Sequence, residues 1–320
     1  MSLPALTLSR IATAGLVLML CAPLGVGVAG LSGIGHRWVD ILAQFTGPAI
    51  CAALVLTLIA AALRLWPAAA FGAATCLVLL LAGWPQWFPA KGQPQAGAPV
   101  VTLYSANLLV RNTDTEAVRA SIAEGQADVV VLIETPRMML SQLDRLLPDH
   151  PYRVVETGGS YAVDGTVIAS RWPVVKEESL GGDNHMAARV QTPLGPVTVF
   201  GVHLTRPWPF QFQWGQISQA MDIRDKARDV SGPLILAGDF NAVSSARIGR
   251  QIRREMGLIP APGWPGTWPA QAPSVLGMTI DQVYRSPDLA LLSRRLGRPS
   301  GSDHRPVVTR LTLSEPQPRP

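Results

Sequence analysis

The chain has 320 residues, of which 48% are hydrophobic and only 15% are charged, with a formal net charge of +5. This composition is unusual for a purely soluble protein, so part of the chain is expected to lie in lipid. Beyond residue 97 the chain has 23 basic and 21 acidic residues, so its net charge there gives no strong electrostatic indication of nucleic-acid binding. The first 97 residues have only five charged side chains: Arg10, Arg37, Asp40, Arg64 and Lys91.

Three stretches in this first part lack Asp, Glu, Lys and Arg, at 11–35, 41–63 and 65–90. Each exceeds the about 20 residues that a helix needs to cross a bilayer. Alternative interpretations are a cleaved signal peptide for the first stretch and buried helices of a soluble protein for the others. The length and close succession of the stretches favour three transmembrane helices, at about 11–35, 41–63 and 65–88. The spans have no ionisable residue, which disfavours a transporter.

Residues 91–99, KGQPQAGAP, lack apolar periodicity and are typical of a linker. We therefore expect a membrane anchor at 1–90, a linker at 91–99, a second domain at 100–314 and a disordered tail at 315–320. All three cysteines lie before residue 97, so the domain at 100–314 has no internal disulfide or thiolate metal site.

The domain at 100–314 alternates short β-rich runs with amphipathic stretches. Strands are predicted at 100–105, 128–133, 166–170, 187–191, 197–203, 234–237, 279–284 and 306–313. Helices are predicted at 114–124, 137–147, 212–230 and 246–256. Many strands with few crossovers indicate an α/β fold in which helices flank a two-sheet β-sandwich.

Nearly every predicted strand ends on a carboxylate, amide or imidazole. Taken singly, such residues are typical of turns, helix caps or buried histidines. Together they have the composition of a phosphate site with a hard metal ion. The set comprises Asn107, Glu134, Ser170 with Arg171, His203, Asp239, Asn241, Asp281, Asp303 and His304.

The order Asn, Glu, Ser-Arg, His-Leu, Gly-Asp-Phe-Asn, Asp, Ser-Asp-His resembles the endonuclease/exonuclease/phosphatase superfamily, whose members have a DNase I-like fold. The resemblance extends from about residue 100 to residue 313. It implies a four-layer α/β/β/α architecture and a phosphoesterase that depends on Mg²⁺ or Mn²⁺. By the same resemblance, Glu134 binds the metal, and Asn107 and Asp303 ligate it or its waters.

The resemblance also implies how the phosphate ester is hydrolysed. Asp239 orients and deprotonates the attacking water, and Asn241 holds that water or a phosphate oxygen. His304, oriented by Asp281, donates to the phosphoryl group, and His203 hydrogen-bonds another of its oxygens. The pairing with a carboxylate is expected to raise the pKa of His304. Arg171 is not included, because the Ser-Arg pair is as much structural as catalytic.

Two departures limit the resemblance. Gln282 stands where many members have a histidine, and Leu109 stands where abasic-site endonucleases have an aspartate. The His-Leu pair at His203 is also unlike the abasic-site branch, which has an asparagine there. A role in abasic-site repair is therefore disfavoured, while the DNase I-like and sphingomyelinase-like branches remain.

The substrate is left open between nucleic acid and phospholipid. The segment 205–214, TRPWPFQFQW, supplies four aromatic residues that could stack on bases, cap an apolar leaving group or rest on a bilayer. The alternative to an enzyme is an inactive binding module that keeps the fold at the membrane. No obligate protein partner is expected.

Three spans with the N-terminus inside would place Arg10 and Arg64 in the cytoplasm and the catalytic domain in the periplasm, on an inner-membrane protein. The count of basic residues on the two sides is balanced.

Overall fold

The computed structural model describes residues 3–157, 163–182, 184–207 and 213–315. Four helices come first: α1 (Leu3–Ser32), α2 (Arg37–Ala43), α3 (Thr46–Ala62) and α4 (Trp66–Trp87). Two segments, Thr7–Ser32 and Trp66–Trp87, are long and apolar enough to cross a membrane, and α2 with α3 qualifies as a third only if the bent pair forms one span. These helices are consistent with a membrane anchor.

The span predicted at 41–63 is interrupted, because α2 and α3 meet at an angle of 58°. Pro48 lies in the first turn of α3, where backbone N–H groups have no carbonyl partner within the helix. A proline, which has no N–H, is therefore tolerated there, and the sequence favours the start of a new helix at this point. Asp40, which lies between the first two predicted spans, is buried. Its carboxylate accepts the backbone N–H of Arg247 at 2.7 Å and the Nε2 of Gln213 at 2.5 Å.

The anchor helices pack on one another through small side chains and present large apolar ones outward. Leu20, Ala53 and Leu79 form a buried contact between α1, α3 and α4. Leu18, Leu58 and other large apolar side chains are more than half exposed. Apolar side chains on the outer face of a helix group are those expected to contact lipid.

Two six-stranded mixed sheets follow, in the orders β11-β12-β1-β2-β4-β3 and β5-β6-β7-β8-β10-β9. The strands of the first sheet are β1 (Val101–Asn107), β2 (Val129–Pro136), β3 (Tyr152–Thr157), β4 (Asp164–Ser170), β11 (Leu289–Leu296) and β12 (Val307–Leu313). Those of the second are β5 (Val174–Lys176), β6 (His185–Thr192), β7 (Gly195–His203), β8 (Leu234–Asp239), β9 (Ile259–Pro260) and β10 (Asp281–Arg285). All eight predicted strands are present with shifted ends, whereas β3, β5, β9 and β11 were not predicted.

The facing sides of the sheets form a continuous apolar core, which includes Val131, Ile168, Met186, Val199 and Ile235. The other side of the first sheet is covered by α5 (Thr115–Gly125), α6 (Arg137–Leu140) and α7 (Leu143–Leu146), and that of the second by α8 (Gln213–Ala227) and α9 (Arg247–Glu255). The predicted four-layer α/β/β/α fold is therefore confirmed. The helix predicted at 137–147 is instead two single turns, and Met139 of the first and Leu146 of the second are buried in the core.

The segment predicted as a linker lies along the first sheet. The carbonyl of Lys91 accepts the N–H of Leu291 at 2.7 Å, and the N–H of Gln95 donates to the carbonyl of Leu313 at 2.9 Å. Residues 316–320 of the predicted tail lie outside the described residues, while the N–H of Glu315 donates to the carbonyl of Gln93.

Strand direction gathers the polar residues at one edge of the sandwich. The pairs β1/β2 and β7/β8 are parallel, so their carboxyl ends meet at the same edge. The strands β10 and β12 run antiparallel to β8 and β1, so they begin at that edge. The residues predicted at strand ends are thereby placed around one cleft, except Ser170 and Arg171, which end the antiparallel strand β4 at the opposite edge.

Candidate active site

Glu134 lies at an irregularity near the end of β2. The pairing of β2 with β4 shifts register between Leu132 and Thr135, and Glu134 has a φ of +50°, which a residue with a side chain rarely adopts. Its Oε2 accepts the N–H of Val110 at 3.2 Å. Such a strained backbone position is typical of functional sites, where it directs a side chain into a cleft.

Asn107 bridges the two sheets at the base of the cleft. Its Nδ2 donates to Glu134 Oε1 at 2.9 Å and to Asp239 Oδ2 at 3.1 Å, while its Oδ1 accepts the N–H of Leu109. The side-chain amide therefore holds the carboxylates of two different sheets together. Its role as a metal ligand remains a prediction.

The Gly-Asp-Phe-Asn sequence, residues 238–241, comprises the last two residues of β8 and the first two of the turn that follows. Gly238 has a φ of +143°, and a Cβ there would lie 2.0 Å from the carbonyl oxygen of Val202, so only glycine fits. Asp239 Oδ1 accepts the N–H of Asn241 at 2.8 Å. Burial raises the pKa of Asp239, His304 opposes this rise and Asp281 adds to it. A carboxylate with a raised pKa is suited to accept a proton near neutral pH.

Asn241 is held in one orientation beside Asp239. Its Nδ2 donates to the carbonyl of Leu204 at 2.9 Å and lies 3.3 Å from Asp239 Oδ2. The Nε2 of Gln216 donates to the carbonyls of Phe240 and Asn241, which ties the turn to α8. Asn241 has a φ of +46°, which is again rare for a residue with a side chain.

Asp281 and His304 form a buried pair. His304 Nδ1 lies 2.9 Å from Asp281 Oδ2, and its Nε2 lies 4.0 Å from Asp239 Oδ2. Burial alone lowers the pKa of His304, but the charge and hydrogen bond of Asp281, with Asp239 and Asp303 nearby, raise it to about 10. The imidazole is therefore cationic at neutral pH, with one nitrogen held by Asp281 and the other facing the carboxylate of Asp239.

Asp303 and His203 line the cleft beside these groups. Asp303 Oδ2 accepts from Trp268 Nε1 at 3.3 Å, and its Oδ1 is buried with no hydrogen-bond partner among the described residues. His203 is partly exposed, and its Nε2 lies 3.4 Å from Glu134 Oε1. A buried carboxylate oxygen without a partner is costly unless a cation or water occupies the adjacent space.

Two sets of side chains offer ligand atoms within 4.8 Å of one another: Glu134 with His203 and Asp239, and Asp239 with Asp281 and His304. Glu134, predicted to bind the metal, is thus grouped with His203 and Asp239, which were predicted to be catalytic. Asp303 belongs to neither set. Carboxylate oxygens with a neighbouring imidazole suit a hard divalent cation, and the unpartnered Oδ1 of Asp303 also fits one. Which residues ligate it remains a prediction.

A cavity of about 380 Å³ opens next to Glu134 and His203. Its walls include three side chains that the sequence did not single out, Glu156, Asp164 and Asn184. Burial raises the pKa of Asp164, and the nearby charge of Glu134 raises it further. No motif marks Asp164, because it becomes part of the cleft only through the pairing of β4 with β2.

Arg171 and the aromatic segment have separate outcomes. Arg171 NH1 lies 3.3 Å from Asp128 at the opposite end of β2, which supports its omission from the site. Trp208, Phe210 and Phe212 lie outside the described residues, and Trp214 at the start of α8 is 69% exposed.

The sequence profile of the Endonuclease/Exonuclease/phosphatase family matches residues 104–304. The chain belongs to this family. No curated protein matches it. Members hydrolyse phosphate esters, typically with a divalent metal, so this family member is a phosphoester hydrolase with groups that could bind such a metal.

Solved structures show the same fold at low sequence identity. An endonuclease/exonuclease/phosphatase from Beutenbergia cavernae is 21% identical with a TM-score of 0.51, covering 67% of this chain and 72% of its own. The one from Bacteroides vulgatus is 15% identical with a TM-score of 0.55, covering 68% and 100%. The endonuclease domain of TRAS1, a telomere-specific retrotransposon, is 18% identical with a TM-score of 0.50, covering 68% and 100%.

Proposed function

We propose that this protein is a membrane-anchored phosphodiesterase that hydrolyses its substrate by direct attack of water, with Mg²⁺ or Mn²⁺ as its cofactor. The observation that carries the proposal is the buried Asp281–His304 pair, whose free Nε2 faces Asp239 at 4.0 Å. A cation and a carboxylate on opposite sides of one small space are suited to a phosphoryl group and its attacking water. An inactive binding module would have no use for so closely matched a proton donor and acceptor.

Asp239 acts as the base. It is buried, its carboxylate is oriented by Asn241 and Asn107, and its pKa is raised, so it can hold a water molecule and take its proton. Asn241 orients that water or a phosphate oxygen. Asn107 holds Asp239 and Glu134 at a set separation, so its loss would disturb both groups.

His304 acts on the phosphoryl group. As a cation it donates from Nε2 to a phosphoryl oxygen, where negative charge increases as the ester bond breaks. Asp281 keeps it charged and oriented. His203, partly exposed beside Glu134, donates to a second phosphoryl oxygen.

The divalent cation would be held by Glu134, with Asn107 and Asp303 close enough to ligate it or its waters. When bound, it polarises a phosphoryl oxygen and offsets charge on the leaving group. These ligands are oxygen atoms, which favour Mg²⁺ or Mn²⁺ over metals that prefer sulfur.

The proposed arrangement in the cell has residues 1–90 as the anchor, 91–99 as a docked connection and 100–314 as the catalytic domain. The anchor ends that contact the catalytic domain, near Gly30 and Gln86, lie opposite the ends with Arg10 and Arg64. With the two arginines in the cytoplasm, the catalytic domain would face the periplasm of an inner-membrane protein.

The test is hydrolysis of bis-p-nitrophenyl phosphate by the purified full chain in detergent. We expect turnover to stop in EDTA and to return with added Mg²⁺ or Mn²⁺. Asp239→Asn should be inactive, whereas Glu116→Gln, which changes an exposed carboxylate on α5, should match the unaltered protein. Full turnover in chelator would overturn the proposal.

A further inference from the structure

One long segment of the catalytic domain has no charged side chain. Residues 256–280 contain no Asp, Glu, Lys, Arg or His, although charged residues occur throughout the rest of this domain. The middle of the segment, residues 263–278, has almost no regular secondary structure and connects the end of the β9 region to β10. We refer to residues 263–278 as the apolar loop.

One side of the apolar loop contacts the anchor helices. The N–H of Gly263 donates to the carbonyl of Gln86 at 2.7 Å, and Gln86 Nε2 donates back to the carbonyl of Gly263 at 3.1 Å. The rings of Trp87 and Trp264 lie 6.2 Å apart. On α3, the thiol of Cys51 lies 3.6 Å from the carbonyl of Val275.

The other side of the apolar loop forms a wall of the active site. Trp268 Nε1 donates to Asp303 Oδ2, and the N–H of Ala270 donates to the carbonyl of Asp303 at 2.7 Å. Thr267 Oγ1 lies 3.3 Å from the N–H of Asp281. The apolar loop therefore contacts the anchor helices on one side and Asp281 and Asp303 on the other.

The tip of the apolar loop is exposed and apolar. Trp264, Val275 and Leu276 have 45%, 47% and 45% of their surface exposed, beside the first turns of α3. The carbonyl of Val275 accepts from both Trp264 Nε1, at 3.1 Å, and the Cys51 thiol. A tip with apolar side chains and a satisfied carbonyl is suited to an environment without water.

The position of Cys51 gives the depth of this tip. At 1.5 Å per residue, Cys51 lies about 18 Å along α3 from Leu63, next to Arg64. The hydrocarbon core of a bilayer is about 30 Å thick. If Arg64 lies at the far interface, Val275 and Leu276 beside Cys51 are at the level of the lipid chains, and Trp264 and Trp87 are near the interface that aromatic residues favour.

We propose that the apolar loop inserts into the bilayer that holds the anchor, and that the substrate is a phospholipid of this membrane. The substrate class rests on the proposed function. The occupant of the exposed tip is lipid, because the tip continues the apolar surface of α3 and no charge interrupts the segment. Trp268 and Asp303 then lie a short distance above the headgroups, where a lipid phosphodiester can reach the site without leaving the membrane.

The reaction on such a substrate is a balanced hydrolysis. The water oxygen bonds to phosphorus as its proton passes to Asp239, and one ester bond of the phosphodiester breaks. The departing alkoxide takes a proton from solvent, and Asp239 then releases to solvent the proton that it accepted. The products are a phosphomonoester and an alcohol, with no oxidant or further reactant.

Fluorescence measures the insertion independently of activity. Leu276→Cys is labelled with nitrobenzoxadiazole in a chain with Cys21, Cys51 and Cys76 changed to serine, and reconstituted in phosphatidylethanolamine and phosphatidylglycerol vesicles. The control, Val175→Cys, is an exposed valine on β5, at the opposite edge of its sheet. We expect nitroxide on the lipid chains to quench the label at 276 and aqueous iodide to quench the label at 175. Quenching of the label at 276 by iodide alone would overturn the insertion.

Activity tests the substrate in the unaltered cysteine background. The probes are the same vesicles, plasmid DNA and bis-p-nitrophenyl phosphate. Hydrolysis of the vesicle lipids is measured by ³¹P NMR. We expect lipid hydrolysis, and a fall of about tenfold in the ratio of lipid to soluble-probe rates for Leu276→Asp, because a charge is disfavoured among lipid chains. Val175→Asp should keep the ratio of the unaltered protein.

The outcomes separate the two proposals. Cleavage of DNA and the soluble probe with intact lipid, or an unchanged ratio in Leu276→Asp, would overturn the lipid substrate and leave the phosphodiesterase in place. No metal-dependent hydrolysis of any probe would overturn the phosphodiesterase itself. The fluorescence result would still decide whether the apolar loop is inserted.

Discussion

The pairing of Asp281 with His304 makes a specific prediction about pH. Replacing Asp281 by asparagine keeps the size of the side chain but removes the charge that keeps the imidazole protonated. Burial lowers the pKa of His304 and the carboxylates raise it, so the loss of the nearest carboxylate moves the pKa of His304 down from about 10 toward its ordinary value of 6.5. At pH 8 the imidazole of Asp281→Asn would then be largely neutral.

The rise from 6.5 to about 10 corresponds to roughly 5 kcal/mol of preference for the charged imidazole in the folded protein. Because the pKa of the folded state is raised, this stabilisation is complete below pH 6.5 and is lost as pH rises toward 10. The activity depends on the pKa of the folded state alone, about 10, since the cation is the form that donates to the phosphoryl group. We expect Asp281→Asn to lower kcat at pH 8 by about 10²-fold or more.

The assay is the rate of bis-p-nitrophenyl phosphate hydrolysis between pH 6 and pH 9.5 at saturating Mg²⁺, with the full chain in detergent. The unaltered protein should keep its rate on the alkaline side up to about pH 9, because His304 stays charged there. Asp281→Asn should lose activity progressively through this range.

The matched control is Asp288→Asn, in the turn after β10, where the exposed carboxylate accepts from the Ser286 hydroxyl. Its pH profile should equal that of the unaltered protein. If Asp281→Asn also has an unchanged profile and rate, the charge on His304 does not serve the reaction, and the proposed role of the pair is refuted.

Three further predictions follow from the structure. Glu134→Gln should weaken Mn²⁺ binding, measured by electron paramagnetic resonance, and the expected loss of affinity is about 10-fold to 100-fold. Unchanged affinity would show that Glu134 is not a metal ligand. Gly238→Ala should destabilise the protein by about 3 kcal/mol or more in thermal unfolding, because its Cβ would overlap the carbonyl of Val202, whereas Gly257→Ala, with open space around it, should cost about 1 kcal/mol. Alkaline phosphatase fused after Lys91 should be active and a cytoplasm-only fluorescent protein dark, and the opposite pattern would place the catalytic domain inside.

The sequence predicts the site better than it predicts the complete sheets. Polar residues that end apolar β-rich runs, such as Glu134 and Asp239, are local signals, and their order along the chain carries the resemblance to the family. The strand β11 was missed because LALLSRRL is rich in residues with high helix propensity, and only its pairing with β12 makes it a strand. The strands β5 and β9 have three and two residues, too few for a periodic pattern.

Contacts between segments that are distant in the chain were not predicted from the sequence. Asp40 lies in the short polar separator between two apolar stretches, and nothing in this local pattern indicates burial. It is buried, and its carboxylate accepts the N–H of Arg247 at the start of α9, 207 residues away. Trp268 reaches Asp303 in the same way, through the course of a loop that has no motif. Such contacts depend on tertiary packing, which local patterns do not encode.

The most direct test of the proposed mechanism is a double-mutant cycle on Asp239 and His304. The values of kcat on bis-p-nitrophenyl phosphate are measured for Asp239→Ala, His304→Ala and the double variant of the full chain, with folding verified by circular dichroism. Because both groups act on the same transition state, each single variant should lose about 10²-fold or more, and the double variant should lose much less than the product of the two. Near-normal rates in both single variants would contradict the assignment of this cleft as the active site.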